Sequence, residues 1–399
     1  MAPETSSKPK KVGGEYGDVR EGSSIDVGAL NAYFDSQPKA QRIRTPVDVK
    51  QFKFVQSNPT YFLTDANGTR YVLRKKPAGK LLSKTAHAVE REFRVLAAIH
   101  AHNTHPRTPA SKRVPVPEPI ILCEDNAVVG TPFYVMEFLD GRIFTDVRMP
   151  EIEEAERRQC WLSAVRSLAA LSSLSPSDLG LDSFGSHKPY FPRQIKALGA
   201  VSDAQARATD IETGAAVGPI PFWDESLAWY TRHLPDESKT GLRIVHGDYK
   251  IDNLVFHPTE PRVIGILDWE LCTLGSPLAD LGNFTIPFHV PVDGLPSASN
   301  FRGFKGAKGA NAPPISYEEL EREYARLTGA ESPIREMAFV SSWMLFRLAI
   351  ISQGIAARYA RRQASSANAA IQAKAFPLLG QLAKDVYMEN ESRSQKAKL

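Results

Sequence analysis

Apolar positions follow one period in the first third of the chain and another beyond it. From Val47 onward, Phe52 to Leu63 and Arg70 to Lys75 read as strands joined by the turn Asp65-Ala66-Asn67-Gly68. Ala88, Val89, Phe93, Leu96 and Ile99 then recur at helical spacing, with Glu90, Arg91 and Glu92 between them. Val114-Pro115-Val116-Pro117-Glu118-Pro119 is a stiff extended connector, because each proline fixes its own φ and restricts the residue before it. Ile120 to Leu122 and Phe133 to Phe138 read as two further strands. Strand, strand, helix, strand, strand predicts a small mixed sheet carrying one helix.

Beyond residue 139 the pattern turns helical. Glu151 to Leu174 predicts one helix and Ile334 to Ala360 a longer one, with a strand-rich island from Arg243 to Trp269 between them. Lys196 to Pro221 and Val292 to Pro314 read as loops, the second rich in glycine and long enough to be functional or disordered. The class is α+β. The expected boundaries are a poorly ordered arm over 1–44, a sheet-bearing lobe over 45–138, a mainly helical lobe over 139–385 and a polar tail over 386–399.

Composition narrows the function. A chain of 399 residues suits two lobes rather than one small domain. The net charge is only +4 and the basic residues are scattered, which argues against a nucleic-acid partner. The three cysteines, Cys123, Cys160 and Cys272, are far apart and odd in number, so neither a disulfide framework nor a metal spacing is expected. No apolar run is expected to approach the roughly 18 residues needed to span a membrane. The polar N-terminus, Met1 to Asp26, lacks the apolar segment of a signal peptide.

The chemistry concentrates in Ile244-Val245-His246-Gly247-Asp248-Tyr249-Lys250-Ile251-Asp252-Asn253-Leu254-Val255-Phe256, which reads H-G-D-x-x-x-x-N between apolar flanks. Asp268 ends a second apolar strand fifteen residues after Asn253. Phosphoryl transfer accounts for these residue types. Magnesium neutralises the phosphate charge and takes hard oxygen ligands such as the Asp268 carboxylate and the Asn253 amide. A hydroxyl nucleophile needs a carboxylate to orient it and accept its proton, which suits Asp248. The spacing of Asp248 to Asn253 matches a kinase catalytic loop. His246 is expected to brace that loop.

The nucleotide, ATP, is expected on the first lobe. A strand-borne cation paired with a helix glutamate is wanted there, and Arg74 with Glu92 supplies it, Lys75 being the alternative cation. Strand alternation puts Arg74 and Lys76 on one face and Lys75 on the other. Gln56-Ser57-Asn58-Pro59-Thr60 offers hydroxyls and N–H groups, notably at Ser57 and Asn58, that could cover the phosphates. Glu137, in Met136-Glu137-Phe138, lies where a hinge would present backbone groups to adenine.

These residues resemble the aminoglycoside phosphotransferase and choline kinase group, whose members share a bilobal, protein-kinase-like fold. The closer resemblance is to the phosphotransferase domain fused to certain acyl-CoA dehydrogenases. It is carried by Gln56 to Tyr61, Tyr71 to Pro77, Gly130 to Glu137, His246 to Pro261, Leu267 to Asp280 and Arg347 to Ile355, so it covers about Val47 to Tyr359. The resemblance implies Asp248 as catalytic base, Asn253 and Asp268 as magnesium ligands, Arg74 in place of a phosphate-binding lysine and Glu92 as its partner. It also implies that Asp280 anchors the segment after the metal site. Two departures stand out. Val55 occupies a position where relatives usually carry glycine, and the segment 292–314 is longer than usual.

The partner is a small-molecule hydroxyl acceptor. The resemblance to acyl-CoA-linked relatives points to a hydroxyacyl-CoA, with aminoglycosides, choline-like amines and a non-catalytic binding role as alternatives. Val55 and Arg74 favour the non-catalytic role, and the intact Asp248, Asn253 and Asp268 oppose it. Arg347, Gly354 and Arg358 share one helix face, so the two arginines are candidate contacts for an anionic acceptor. Ala397-Lys398-Leu399 is a conservative variant of the Ser-Lys-Leu peroxisomal address, which would add an import receptor as partner.

Overall fold

The computed structural model describes residues 10–11, 16–17, 25–52, 58–77, 88–294, 303–364 and 369–396. In chain order its first elements are β1 (Lys10–Lys11), β2 (Tyr16–Gly17), α1 (Val27–Ser36), β3 (Asp48–Phe52), β4 (Thr60–Thr64), β5 (Arg70–Lys75) and α2 (Val89–Thr104). There follow β6 (Pro119–Cys123), α3 (Asn126–Val129), β7 (Phe133–Glu137), β8 (Arg142–Ile143), α4 (Glu154–Ser172), α5 (Tyr190–Ala206) and α6 (Trp223–Arg232). The remainder holds β9 (Arg243–Val245), β10 (Leu254–Phe256), β11 (Val263–Ile266), β12 (Thr273–Gly275), α7 (Leu278–His289), α8 (Tyr317–Thr328), α9 (Met337–Ala360), α10 (Ala369–Gln372) and α11 (Phe376–Lys396).

The chain divides into two compact units. The first comprises 1–144, 177–182 and 252–272, and the second 145–176, 183–251 and 273–399. In the first, six strands run in the order β2-β3-β4-β5-β7-β6. Every described pairing in that sheet is antiparallel, so the sheet expected as mixed is antiparallel, with six strands rather than four. One of these pairings, β4 with β5, follows from a tight turn: Asp65 Oδ1 accepts from the backbone N–H of Asn67 (2.9 Å) and Thr69 (2.8 Å), which reverses the chain. The strand-like stretch read from Phe52 to Leu63 meets β3 at its start and β4 at its end, with 53–57 outside the described residues.

The expected arm over 1–44 is also corrected. Asp26 caps α1 by accepting from the Ala29 N–H at 2.9 Å. Leu30 and Phe34, one turn apart, are buried in a core with Val47, Tyr61, Leu73, Ile121 and Val135. A ten-residue helix with two buried apolar side chains carries little signal by itself. The sheet face that buries it comes from residues far along the chain.

In the second unit the core is α9. Its apolar side chains point nearly all round the axis, and 72% of its most apolar window is buried. It is long and apolar enough to cross a membrane, contrary to the expectation above. The burial shows that neighbouring helices α5, α7 and α11 occupy those faces instead. Close approach requires glycine at one crossing: a Cβ on Gly282 of α7 would lie 2.5 Å from Val340 Cγ1. The loop expected over 196–221 begins as helix, because α5 runs to Ala206. The tail expected from 386 is largely α11, where Tyr387 is buried and stacks on Trp229 at 4.4 Å. Around the expected loop 292–314, Lys305 N–H donates to Val290 O at 3.0 Å and Val292 N–H to Lys305 O at 3.1 Å, while 295–302 lies outside the described residues.

Candidate active site

In the first unit the site is built on β5 and its neighbours. The register places Thr60 of β4 and Tyr134 of β7 opposite Arg74, so Arg74 and Tyr134 share a sheet face. That face meets Glu92 of α2. Glu92 is 1% exposed and accepts from Asn58 Nδ2 at 2.7 Å and Tyr134 Oη at 3.0 Å, while Arg74 Nε stands 3.4 Å from it. Arg74 Nη2 donates to Asp268 Oδ1 at 3.0 Å. Burial alone would lower the Arg74 pKa, but Glu92, Tyr134 and Asp268 outweigh it and raise it further. Burial pushes the Glu92 carboxyl up to about 7, against the pull of Arg74 and Tyr134. The guanidinium is charged at any ordinary pH.

The alternative cation is placed elsewhere. Lys75 points to the other face, where its Nζ donates to the Val129 carbonyl at 2.6 Å and burial lowers its pKa. Lys76, on the Arg74 face, pairs with Glu90 at 3.6 Å. The alternation expected from the sequence thus assigns each basic residue its partner.

Asn253 and Asp268 come to one end of a hairpin. Leu254 of β10 pairs with Ile266 of β11, and the Leu267 N–H donates to the Asn253 carbonyl at 2.9 Å. Asn253 precedes β10 by one residue and Asp268 follows β11 by two, so the antiparallel register brings both residues to the same end of the hairpin. Asp268 sits at φ 67°, a left-handed conformation that costs a non-glycine residue about 1–3 kcal/mol. The donor set is an amide oxygen and a carboxylate. Among the described residues no three His, Cys, Asp or Glu gather as a metal cage. Magnesium fits such a pair, because it usually takes one or two carboxylates and completes its shell with water and phosphate oxygens.

The second unit holds the loop that carries Asp248. Gly247 adopts φ 86°, which glycine tolerates at no steric cost. Asp280, buried on α7, accepts from the backbone N–H of His246 at 2.6 Å and of Gly247 at 2.8 Å. Burial pushes the Asp280 carboxyl upward, and His246, both N–H groups and Arg347 oppose it. The His246 ring is fully buried, and its Nδ1 accepts from the Asp248 N–H at 3.2 Å. Arg347 Nη2 donates to the Gly247 carbonyl at 2.9 Å. Tyr249 Oη donates to Ala164 O at 2.7 Å, and Asn283 Nδ2 donates to Tyr249 O at 3.1 Å. Lys250 Nζ lies 3.3 Å from Asp248 Oδ2. The backbone before and after Asp248 is therefore tied to α7, α9 and α4, while the carboxylate itself stays partly exposed beside a cation.

Several sequence expectations are corrected here. Asp280 holds the segment before the base rather than the one after the metal ligands. Arg347 is engaged with the loop backbone rather than lying free on a ligand surface. Gly354 is not an open platform, since a Cβ there would meet Gln205 Nε2 at 2.6 Å. Arg358 is exposed on α9. Glu137 ends β7 in solvent, its N–H donating to Glu118 O at 2.9 Å and its Oε2 accepting from Glu118 N–H at 3.1 Å, so that N–H is not available to adenine. Ser57 and Val55 lie outside the described residues. Tyr134 was missed, because nothing local marks it; the register against Arg74 does.

A strand-borne guanidinium tied to a helix glutamate, with an H-G-D-x-x-x-x-N loop, defines a kinase-like phosphotransferase class. The phosphotransferase enzyme family matches residues 48–313, and the chain belongs to that family. It is 39% identical over 361 residues to acyl-CoA dehydrogenase family member 11 of Gallus gallus, covering 88% of this chain and 42% of that relative. The chain thus spans about two-fifths of the length of that relative. A candidate aminoglycoside phosphotransferase of Ralstonia eutropha has a solved structure with TM-score 0.74 and 33% identity, covering 92% of this chain and 99% of that one. Plasmodium vivax ethanolamine kinase shares the fold at TM-score 0.55 and 12% identity, over 90% of this chain and 85% of that one.

Proposed function

We propose that the chain is a small-molecule kinase that moves the γ-phosphate of ATP onto a hydroxyl group. The observation that carries this reading is the clamping of the Asp248 loop, with Asp280 and Arg347 holding the backbone at 246–247 while the carboxylate remains partly open. A base held this way loses little entropy on meeting its substrate. Asp248 accepts the hydroxyl proton as the acceptor oxygen bonds to the γ-phosphorus. The bond from that phosphorus to the bridging oxygen breaks, and ADP leaves. Arg74, steadied by Glu92, binds phosphate oxygens. Asn253 and Asp268 would hold magnesium, which when bound supplies positive charge to the phosphates.

The acceptor we propose is a hydroxylated acyl-CoA, a reading supported by the acyl-CoA dehydrogenase names of the relatives. We also propose a peroxisomal address in Ala397-Lys398-Leu399, which lies outside the described residues. A reporter carrying the last dozen residues should form peroxisomal puncta, and a diffuse signal would reject the address.

The kinase test is an ADP-release and mass-spectrometric assay with magnesium and ATP. Hydroxyacyl-CoAs, choline-like amines, sugars and aminoglycosides are offered as acceptors. A phosphorylated hydroxyacyl-CoA is the expected product, and Asp248→Asn should lower kcat by at least a hundredfold with nucleotide Kd little changed. Turnover at the wild-type rate in that variant would remove Asp248 as the base. Phosphorylated amine or sugar alone would replace the acceptor.

A further inference from the structure

Helix α9 is buried on nearly every face, yet one stripe of it is open. Arg347, Leu348, Ile351, Ile355, Arg358 and Tyr359 are the only residues from 341 to 360 that are not buried. Their spacing follows the helical repeat, so they form one continuous line. Ile351 is 41% exposed and Tyr359 44%, unusual for large apolar side chains on a core helix. Val201 adds another, 44% exposed, one turn before the Gln205 that packs against Gly354.

The stripe has a direction. It begins at Arg347, whose guanidinium touches the carbonyl of the residue preceding Asp248. It ends at Arg358, about 16 Å further along the axis at the α-helical rise. The helix contains no Asp or Glu, and among the described residues no carboxylate is paired with Arg358. Arg362, just beyond, is taken by Asp210 at 3.0 Å and Glu212 at 2.7 Å. An apolar line starting beside the base and ending on a free cation complements an amphiphile with an anionic group. It offers nothing to a polyammonium acceptor.

We infer that this stripe is the binding track for the apolar chain of the acceptor, with the acceptor hydroxyl at Asp248 and Arg358 facing an anionic group of the same molecule. The inference rests on the kinase reading of Asp248, and its test is chosen to separate the two. Binding of saturated, non-hydroxylated acyl-CoAs of four, eight and twelve carbons is measured by calorimetry, which needs no phosphate transfer. A fully buried methylene is worth roughly fourfold in affinity. On a half-open stripe, Kd should still fall by at least about tenfold from the shortest chain to the longest.

Ile351→Gln with Ile355→Gln should flatten that dependence, and Arg358→Gln should weaken all chain lengths by a similar factor. Thermal melting of each variant checks that it is folded. Equal chain-length dependence in wild type and the double variant overturns the inference, as does none in wild type. A double variant that instead changes sedimentation or binding to anionic vesicles, with its chain-length dependence kept, makes the stripe a contact between copies or a lipid-facing surface and likewise overturns it. Chain-dependent binding lost in the double variant, with no acceptor of any class ever phosphorylated, would sustain the track and defeat the kinase reading.

Discussion

Arg74 Nη2 donates to Asp268 Oδ1 at 3.0 Å, across 194 residues of sequence, while the same guanidinium faces Glu92 with its Nε. One side chain therefore spans the helix glutamate and the carboxylate proposed to hold metal. The planar fork suits this, because its donors lie on several edges, whereas an ammonium gathers its three donors at one point. Arg74→Lys is expected to release one of the two carboxylates. Calorimetry with magnesium and ATP should show affinity reduced about tenfold, and melting should fall by several degrees. An unchanged affinity would mean that the guanidinium geometry is not used.

Glu92 gathers Asn58, Tyr134 and Arg74 in a site almost sealed from water. Removing it strands a buried cation and two hydrogen-bond donors. Glu92→Ala should cost about 3 kcal/mol, the lower end of what breaking a buried pair costs, since Asp268 still meets Arg74. Urea unfolding measures this. A loss below about 1 kcal/mol would show that water reaches the site in place of the carboxylate.

Asp280 is a test of loop positioning. Its two oxygens satisfy consecutive backbone N–H groups that have no access to water. Asp280→Ala should destabilise the protein by about 3 kcal/mol and lower kcat more than nucleotide affinity. Asp280→Asn keeps one acceptor oxygen and should recover part of both. If Asp280→Ala lowers stability alone and turnover per folded molecule is intact, the clamp does not position Asp248.

His289 predicts a pH dependence. Its Nε2 is enclosed without a hydrogen-bond partner, although the residue as a whole is only half-buried. Burial, reinforced by Lys305 and opposed by Glu389, pushes its pKa down to about 4. The unfolded chain binds a proton there below about 6.5, whereas the folded chain does so only below about 4. The stability that neutral His289 contributes is complete above pH 6.5 and is lost as pH falls towards 4. The loss is up to about 3 kcal/mol. His289→Phe should lack this slope, so the stability of wild type minus that of the variant should fall as pH drops from about 6.5 towards 4. Parallel curves from pH 4 to 7 would contradict the assignment.

Short-range features were legible before any fold was known. The Asp65 turn, the strand carrying Arg74, the helix carrying Glu92 and the hairpin around Asn253 and Asp268 depend on local backbone preference and on apolar period. Both act within a dozen residues or so. Alternation along β5 likewise assigned Arg74 and Lys75 to opposite faces, because strand side chains must alternate. Partner choice at longer range was not legible. Asp280 reaches back to His246, Arg347 to Gly247 and Tyr134 across to Glu92, and α1 is buried by strands that follow it. The reason is physical. A buried polar group must find a partner wherever the packed chain excludes water, and which surfaces become dry is decided only when distant segments meet. The open stripe on α9 belongs to the same category. Its Leu348, Ile351 and Ile355 are as apolar as their buried neighbours, and only the placement of α5, α7 and α11 leaves that one face in water.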